Sequence, residues 1–158
     1  MSSAVGPETF RRVCSQFATG VAVATVRAAD GTPHGLTVNS FTSVSLDPPL
    51  ILICIGDLCD ILPHFAASCW FGINFLTSAQ QNLCTVFAAE TDNRFAGIEW
   101  YEAPNGAPLL PETLGWMECE KTGVIHAGDH SILLGKVVAA DATDGSALVY
   151  FNRSYRTV

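Results

Sequence analysis

The stretch Gly35-Leu-Thr-Val-Asn-Ser-Phe-Thr-Ser-Val-Ser-Leu46 alternates side chains along its whole length. Leu36, Val38, Ser40, Thr42, Val44 and Leu46 fall on one face, and Thr37, Asn39, Phe41, Ser43 and Ser45 on the other. A period of two places such sets on opposite sides of a sheet, so the stretch predicts one long strand. Upstream, Val21 to Val26 is short and β-branched, and Asp30-Gly31 lies in the turn between the two runs, a hairpin signal. Downstream, Asp47-Pro48-Pro49 turns the chain into Leu50 to Ile55, an almost wholly apolar run that reads as a buried strand.

Further strands are expected at Cys69 to Leu76, Glu118 to His126, His130 to Asp141 and Ala147 to Phe151. Helices are expected from Pro7 to Thr19, from an Asp57 or Asp60 cap to about Ala67, and from a Ser78 cap to Ala89. Thr91 to Leu114 is rich in turns and reads as loop. The successive hairpins argue for an antiparallel sheet closing into a barrel, not a βαβ fold. The class is mainly β with a few helices, and with no repeat or linker the chain reads as a single domain over residues 1–158.

Composition narrows the partners. A chain of 158 residues can bury a full core. Apolar residues make up 49% but charged residues only 15%, and mean hydropathy is +0.30. So little charge suggests surface shared with a second copy, a homodimer. The net charge of −7 comes without any basic cluster, which argues against nucleic acid. No apolar run approaches the ~20 residues of a membrane span, and the start MSSAVGPETF lacks signal-peptide order, pointing to a cytoplasmic protein. The six cysteines form no CxxC and sit mostly in apolar segments, as reduced, buried hydrophobes do. The four histidines show no HxH or HExxH, so no metal is expected.

Motifs for self-contained chemistry are missing. There is no G-x-G-x-x-G, no phosphate loop and no G-x-S-x-G, and the carboxylates scatter. Activity therefore points to a bound cofactor. The polar set Thr37, Asn39, Ser43 and Ser45 suits hydrogen bonding to a heterocycle edge and a phosphate; taken alone it suits a solvated sheet face better. Gly128-Asp129-His130 reads as a tight turn.

At these residues the chain resembles the flavin reductase-like domain family, short reductases built on an FMN-binding split barrel. The segment from Gly35 to Leu50 carries the resemblance. Phe10 to Val21, Phe71-Gly-Ile-Asn-Phe-Leu76 with Gln80-Gln81, Arg94-Phe95-Ala-Gly97, Gly128-Asp-His130 and Tyr150-Phe151…Tyr155 follow in the family's order.

The resemblance implies a homodimeric enzyme that uses NADH or NADPH to reduce FMN or FAD. Such an enzyme often passes reduced flavin to a separate flavin-dependent monooxygenase; a split barrel that binds flavin or another small molecule without turnover is the alternative. By the same likeness, Thr37, Val38, Asn39, Ser40, Phe41, Thr42 and Ser43 line the flavin. Cys54, Ile55, Gly56 and Cys59 flank it, Asn74, Phe75 and Leu76 lie under or beside the ring, and Arg94 meets the phosphate. His130, the expected catalytic residue, belongs with Arg153 and Tyr155 to the nicotinamide side. The chain departs from the family at Cys59, often Ser, at Ser154, commonly Gly, and at Asp60, an added acid near the phosphate. The lack of a basic cluster for a 2′-phosphate points to NADH.

Overall fold

The computed structural model describes residues 4–158, so the first three positions of the expected domain lie outside it. Seven strands form one antiparallel sheet: β2 (Ala22–Arg27), β3 (Pro33–Val38), β4 (Thr42–Leu46), β5 (Pro49–Gly56), β6 (Trp70–Phe75), β9 (Gly115–Ala127) and β10 (His130–Ala142). Their spatial order is β3-β2-β6-β9-β10-β5-β4. A second sheet joins β1 (Thr19–Gly20), β11 (Leu148–Phe151) and β12 (Ser154–Thr157), and a small hairpin pairs β7 (Tyr101–Glu102) with β8 (Pro108–Leu109). The helices are α1 (Pro7–Cys14), α2 (Leu62–Ala67) and α3 (Gln81–Ala88).

The expected long strand is two strands. The chain leaves β3 after Val38 and re-enters as β4 at Thr42, and these are the opposite edges of the seven-stranded sheet. Laid flat, six strand spacings would separate those edges by about 29 Å. The link from Val38 to Thr42 can span at most about 14 Å. The sheet must therefore curl until its edges approach. It does not close, because no ladder pairs β3 with β4.

Ser40 sets the crossover. Its hydroxyl donates to Cys54 O at 2.9 Å and accepts from Cys54 N–H at 2.9 Å. The β4–β5 register, Thr42 opposite Leu52, runs on to place residue 40 opposite residue 54. One side chain there does the work of a main-chain pair. Beyond Ser43 a bulge shifts the register, and Val44 and Leu46, on the same face of the alternation as core residue Val38, are exposed.

Inside the curl, Ile51, Ile53, Ile55, Phe65, Phe71 and Leu133 form the main core; burying each contributes about 1.5–3 kcal/mol. A second core, including Val23, Leu76, Phe87 and Leu148, fills the space between β2, α3 and β11. Glu118 is fully buried on β9, where its carboxylate accepts bonds from Asn105 and Ala107 and clips down the loop before β8.

Element boundaries differ from expectation where tertiary contacts intervene. Helix α1 ends at Cys14, not Thr19, because Thr19 and Gly20 pair with Tyr150 and Val149. The α2 cap is Ile61, not an aspartate, with Pro63 in the first turn. The third helix opens as a 3-10 turn, Ser78–Gln80, capped by a Thr77–Gln80 box and not by Ser78. The strand β12 was not expected: the tight turn before it has Asn152 and Arg153 at positive φ, and neither is a glycine. Of the cysteines, only Cys84 and Cys119 are buried; Cys14 and Cys69 are exposed.

Candidate functional site

Beside the crossover lies a groove of about 700 Å³, within the range of small-molecule sites. Its floor is Leu36 and Thr37 of β3, one wall is the turn Leu58-Cys59-Asp60 after β5, and the other is the end of α3 with the segment to Arg94. A smaller groove of about 240 Å³ is lined by Val21, Thr37, Asn39, Tyr150 and Tyr155. Thr37 belongs to both, so the two adjoin at the edge of β3.

Local chemistry fixes these walls. Helix α3 presses on β3 because Gly35 has no side chain: a Cβ there would meet the Phe87 ring at 2.9 Å. The Thr37 hydroxyl donates to Cys84 O at 2.6 Å, tying the strand to the helix. Cys84 Sγ donates to the Tyr155 hydroxyl at 3.1 Å. That hydrogen bond, with burial, pushes the phenol up to about 12, so Tyr155 stays neutral and keeps its O–H. Cross-strand pairing sets Tyr150 against Tyr155, ring centroids 5.3 Å apart.

Arg94 is the only cation lining the larger groove, and its side chain is 8% exposed. Nε–H donates to Ala89 O at 2.7 Å, while Nη1 and Nη2 donate to the two Asp60 oxygens at 3.4 and 3.0 Å. Burial opposes ionisation of Asp60, but the bond to Arg94 and its charge outweigh it and hold the carboxyl below its ordinary range. Glu90 and Asp92 line the same groove.

Of the residues expected from sequence, Thr37, Asn39, Cys59, Arg94 and Tyr155 line the two grooves. His130 stands at the tip of the β9–β10 hairpin, with Nδ1 2.7 Å from Asp129 Oδ1. Its register partner is Gly56, and Asp57 N–H donates to Asp129 O at 3.0 Å, tying that tip to the turn that walls the groove. Cys54 is half-buried on β5, and burial raises its thiol pKa. Phe41 and Phe75 meet edge to face at 5.0 Å against the core. Thr42 and Ser43 are exposed on β4, and Arg153 pairs with Glu8 of α1 at 2.8 Å.

Other side chains turn inward. Val38, Ile55 and Leu76 are core residues, and the Ser40 hydroxyl is spent on Cys54. Asn74 is fully buried: its amide donates to Val23 O at 3.1 Å, and its oxygen accepts Leu110 N–H at 2.8 Å. It braces β6 between β2 and the loop leading from β8. Leu36, Phe87, Glu90 and Asp92, none of them expected, also line the larger groove. Nothing local marks them as groove-lining, since an apolar residue and a loop carboxylate look the same wherever they fold. Among the described residues no three metal-ligating groups converge, and no helix is long and apolar enough to cross a membrane.

An open, curled antiparallel sheet with two adjoining grooves at its lip defines a small-molecule-binding β domain. The chain belongs to the flavin reductase like domain family, whose model matches residues 14–158. It is similar to the stachydrine N-demethylase reductase subunit Stc3 of Rhizobium meliloti, 39% identical over 94% of this chain and 65% of that protein. A probable flavin reductase of the same organism is 38% identical over 96% of this chain and 49% of that protein. The chain thus spans about half to two thirds of the length of these curated relatives. Among solved structures, the Streptomyces globisporus NADH:FAD oxidoreductase SgcE6, in complex with NAD and FAD fragments, is similar with a TM-score of 0.89 and 33% identity, covering 98% of this chain and 96% of that one.

Proposed function

We propose that this chain is an NAD(P)H-dependent flavin reductase that transfers hydride from a reduced nicotinamide to FMN or FAD and supplies reduced flavin to a separate flavin-dependent monooxygenase. The observation that carries the reading is the pair of grooves meeting at Thr37 in a chain whose family model spans residues 14–158. The residues fit a flavin: a groove of about 700 Å³, one guanidinium with N–H groups left over, and neutral hydroxyl and amide groups at the lip.

When bound, the flavin supplies hydride acceptance and carriage. The chain's own part is placement and exclusion of water. Arg94 holds the phosphate by charge-assisted bonds. Thr37 and Asn39 contact the ribityl chain and ring edge, with Cys59 at the opposite wall. Tyr155 offers an aromatic face, its hydroxyl oxygen accepting from Cys84 Sγ and its own O–H left to donate. His130, on its hairpin tip, and Arg153 receive the nicotinamide nucleotide. Thr42, Ser43, Cys54 and Gly56 frame the crossover from the β4–β5 side, with Phe41 packed against the core beside them. Val38, Ile55, Asn74, Phe75 and Leu76 support that surface from behind.

Homodimerisation belongs to the same reading. Helix α1 has no buried residue, and its Phe10 and Val13, with Phe17 just beyond, are 62, 64 and 78% exposed. Such an apolar stripe calls for a covering surface, and a second copy supplies one. A cytoplasmic setting suits six free cysteines.

The test is to mix the protein with FMN or FAD and either NADH or NADPH under argon and follow the visible flavin band. Bleaching supports the reading; no turnover with any of the four pairs overturns it. Flavin binding without nicotinamide oxidation would favour a binding domain. Light scattering during gel filtration should return twice the 16.8 kDa chain mass.

A further inference from the structure

The larger groove holds its one cation in a carboxylate grip. Arg94 uses three of its five N–H donors, one on Ala89 O and two on Asp60. With Glu90 and Asp92, three carboxylates and one guanidinium line this space, so the groove is net acidic where a flavin phosphate should enter.

We infer that Asp60 is the internal competitor for Arg94, so that a flavin phosphate binds by taking over the guanidinium contacts that the Asp60 carboxylate makes in the free protein. This deepens the reductase reading and rests on it. An incoming phosphate meets two unused N–H donors on Arg94, but only beside a carboxylate lying 3.0 Å from the same group. Either Asp60 swings away or two like charges share one cation, and both weaken the phosphate contact. The exchange is feasible because Asp60 is half-exposed while Arg94 is not: the carboxylate can move into water, and the guanidinium stays anchored through Ala89. Asp60 thereby lowers affinity for the phosphate end alone, as a protein that releases its flavin requires, and leaves ring recognition unchanged.

The experiment compares wild type, Asp60→Asn and Arg94→Gln by titration with FMN, FAD and riboflavin at low and physiological salt. Asparagine keeps the shape and a hydrogen-bond acceptor for Arg94 but removes the charge. Asp60→Asn should tighten FMN and FAD by on the order of tenfold at low salt, with riboflavin changed less than about twofold and the gain shrinking as salt screens it. Arg94→Gln should bring FMN down to the affinity of riboflavin. Unchanged FMN affinity in Asp60→Asn, or equal tightening of riboflavin, overturns the exchange while leaving the flavin site intact. If neither wild type nor variant binds any of the three, the flavin reading itself falls and the exchange falls with it.

Discussion

Replacing Ser40 with alanine should loosen the lip of the sheet without touching its core. The Ser40 hydroxyl makes two bonds of 2.9 Å, one to each main-chain group of Cys54. Each is worth about 0.5–1.5 kcal/mol net, and the orphaned N–H and C=O add a desolvation cost that water partly relieves at a half-buried edge. The expected loss is about 2 kcal/mol, against a total of about 5–15 for an ordinary domain. For a chain of this size that lowers Tm by about 4–8 °C. Urea unfolding followed by tryptophan fluorescence should show a lower midpoint at unchanged slope. Native-state hydrogen exchange should show the Cys54 amide opening well below the global unfolding free energy. Ser40→Thr keeps the hydroxyl and should recover most of the loss. A change under about 0.5 kcal/mol, the usual range for neutral surface substitutions, together with an unaltered Cys54 amide, would refute the idea that this hydroxyl stands in for a ladder pair.

Glu118→Ala should cost about 3–5 kcal/mol, because it empties a fully buried site and strips the acceptor from the N–H groups of Asn105 and of buried Ala107; a loss under 1 kcal/mol in urea unfolding would mean the loop is held by other contacts. Stability should also fall with acid through His34, which stacks on His64 with centroids 4.1 Å apart. Burial, then the charge of His64, holds its pKa below the ordinary 6.5, against the pull of Asp30 and Asp60 and with a further push from Arg94. The unfolded chain then binds more protons below about pH 6.5, so this contribution is complete above that pH and is lost as pH drops toward the lower folded value. Melting scans from pH 7.5 to 5 should show that slope flattened in His34→Gln, and identical slopes would refute the assignment. His130→Ala should raise the apparent KM for NADH several-fold with little change for flavin, as measured by steady-state oxidation; a change confined to the flavin KM would move the nicotinamide side elsewhere.

Most of the strands were legible in the sequence because their signals are local. Alternation from Gly35 to Leu46, the turns at Asp30-Gly31 and Gly128, and the apolar run to Ile55 each act over a few residues. The expectation that Arg94 meets a phosphate rests on family likeness alone, and the structure puts Arg94 in the lining of the larger groove. Period two does not say which edge a strand joins, so it passed unbroken across Asn39-Ser40-Phe41. There the chain moves from one edge of the sheet to the other.

By itself, then, the sequence determined an antiparallel β domain with short helices, the family it belongs to, and a polar segment at its centre. The tertiary structure alone decided that this segment is a crossover at an open lip, that Asn74 is an internal brace, and that Asp60 meets Arg94 across 34 positions of sequence. The reason is the range of the forces. Pleat and turn preferences are settled by neighbours along the chain, whereas hydrogen bonds and charges choose partners by distance in space, and that distance exists only once the sheet has curled.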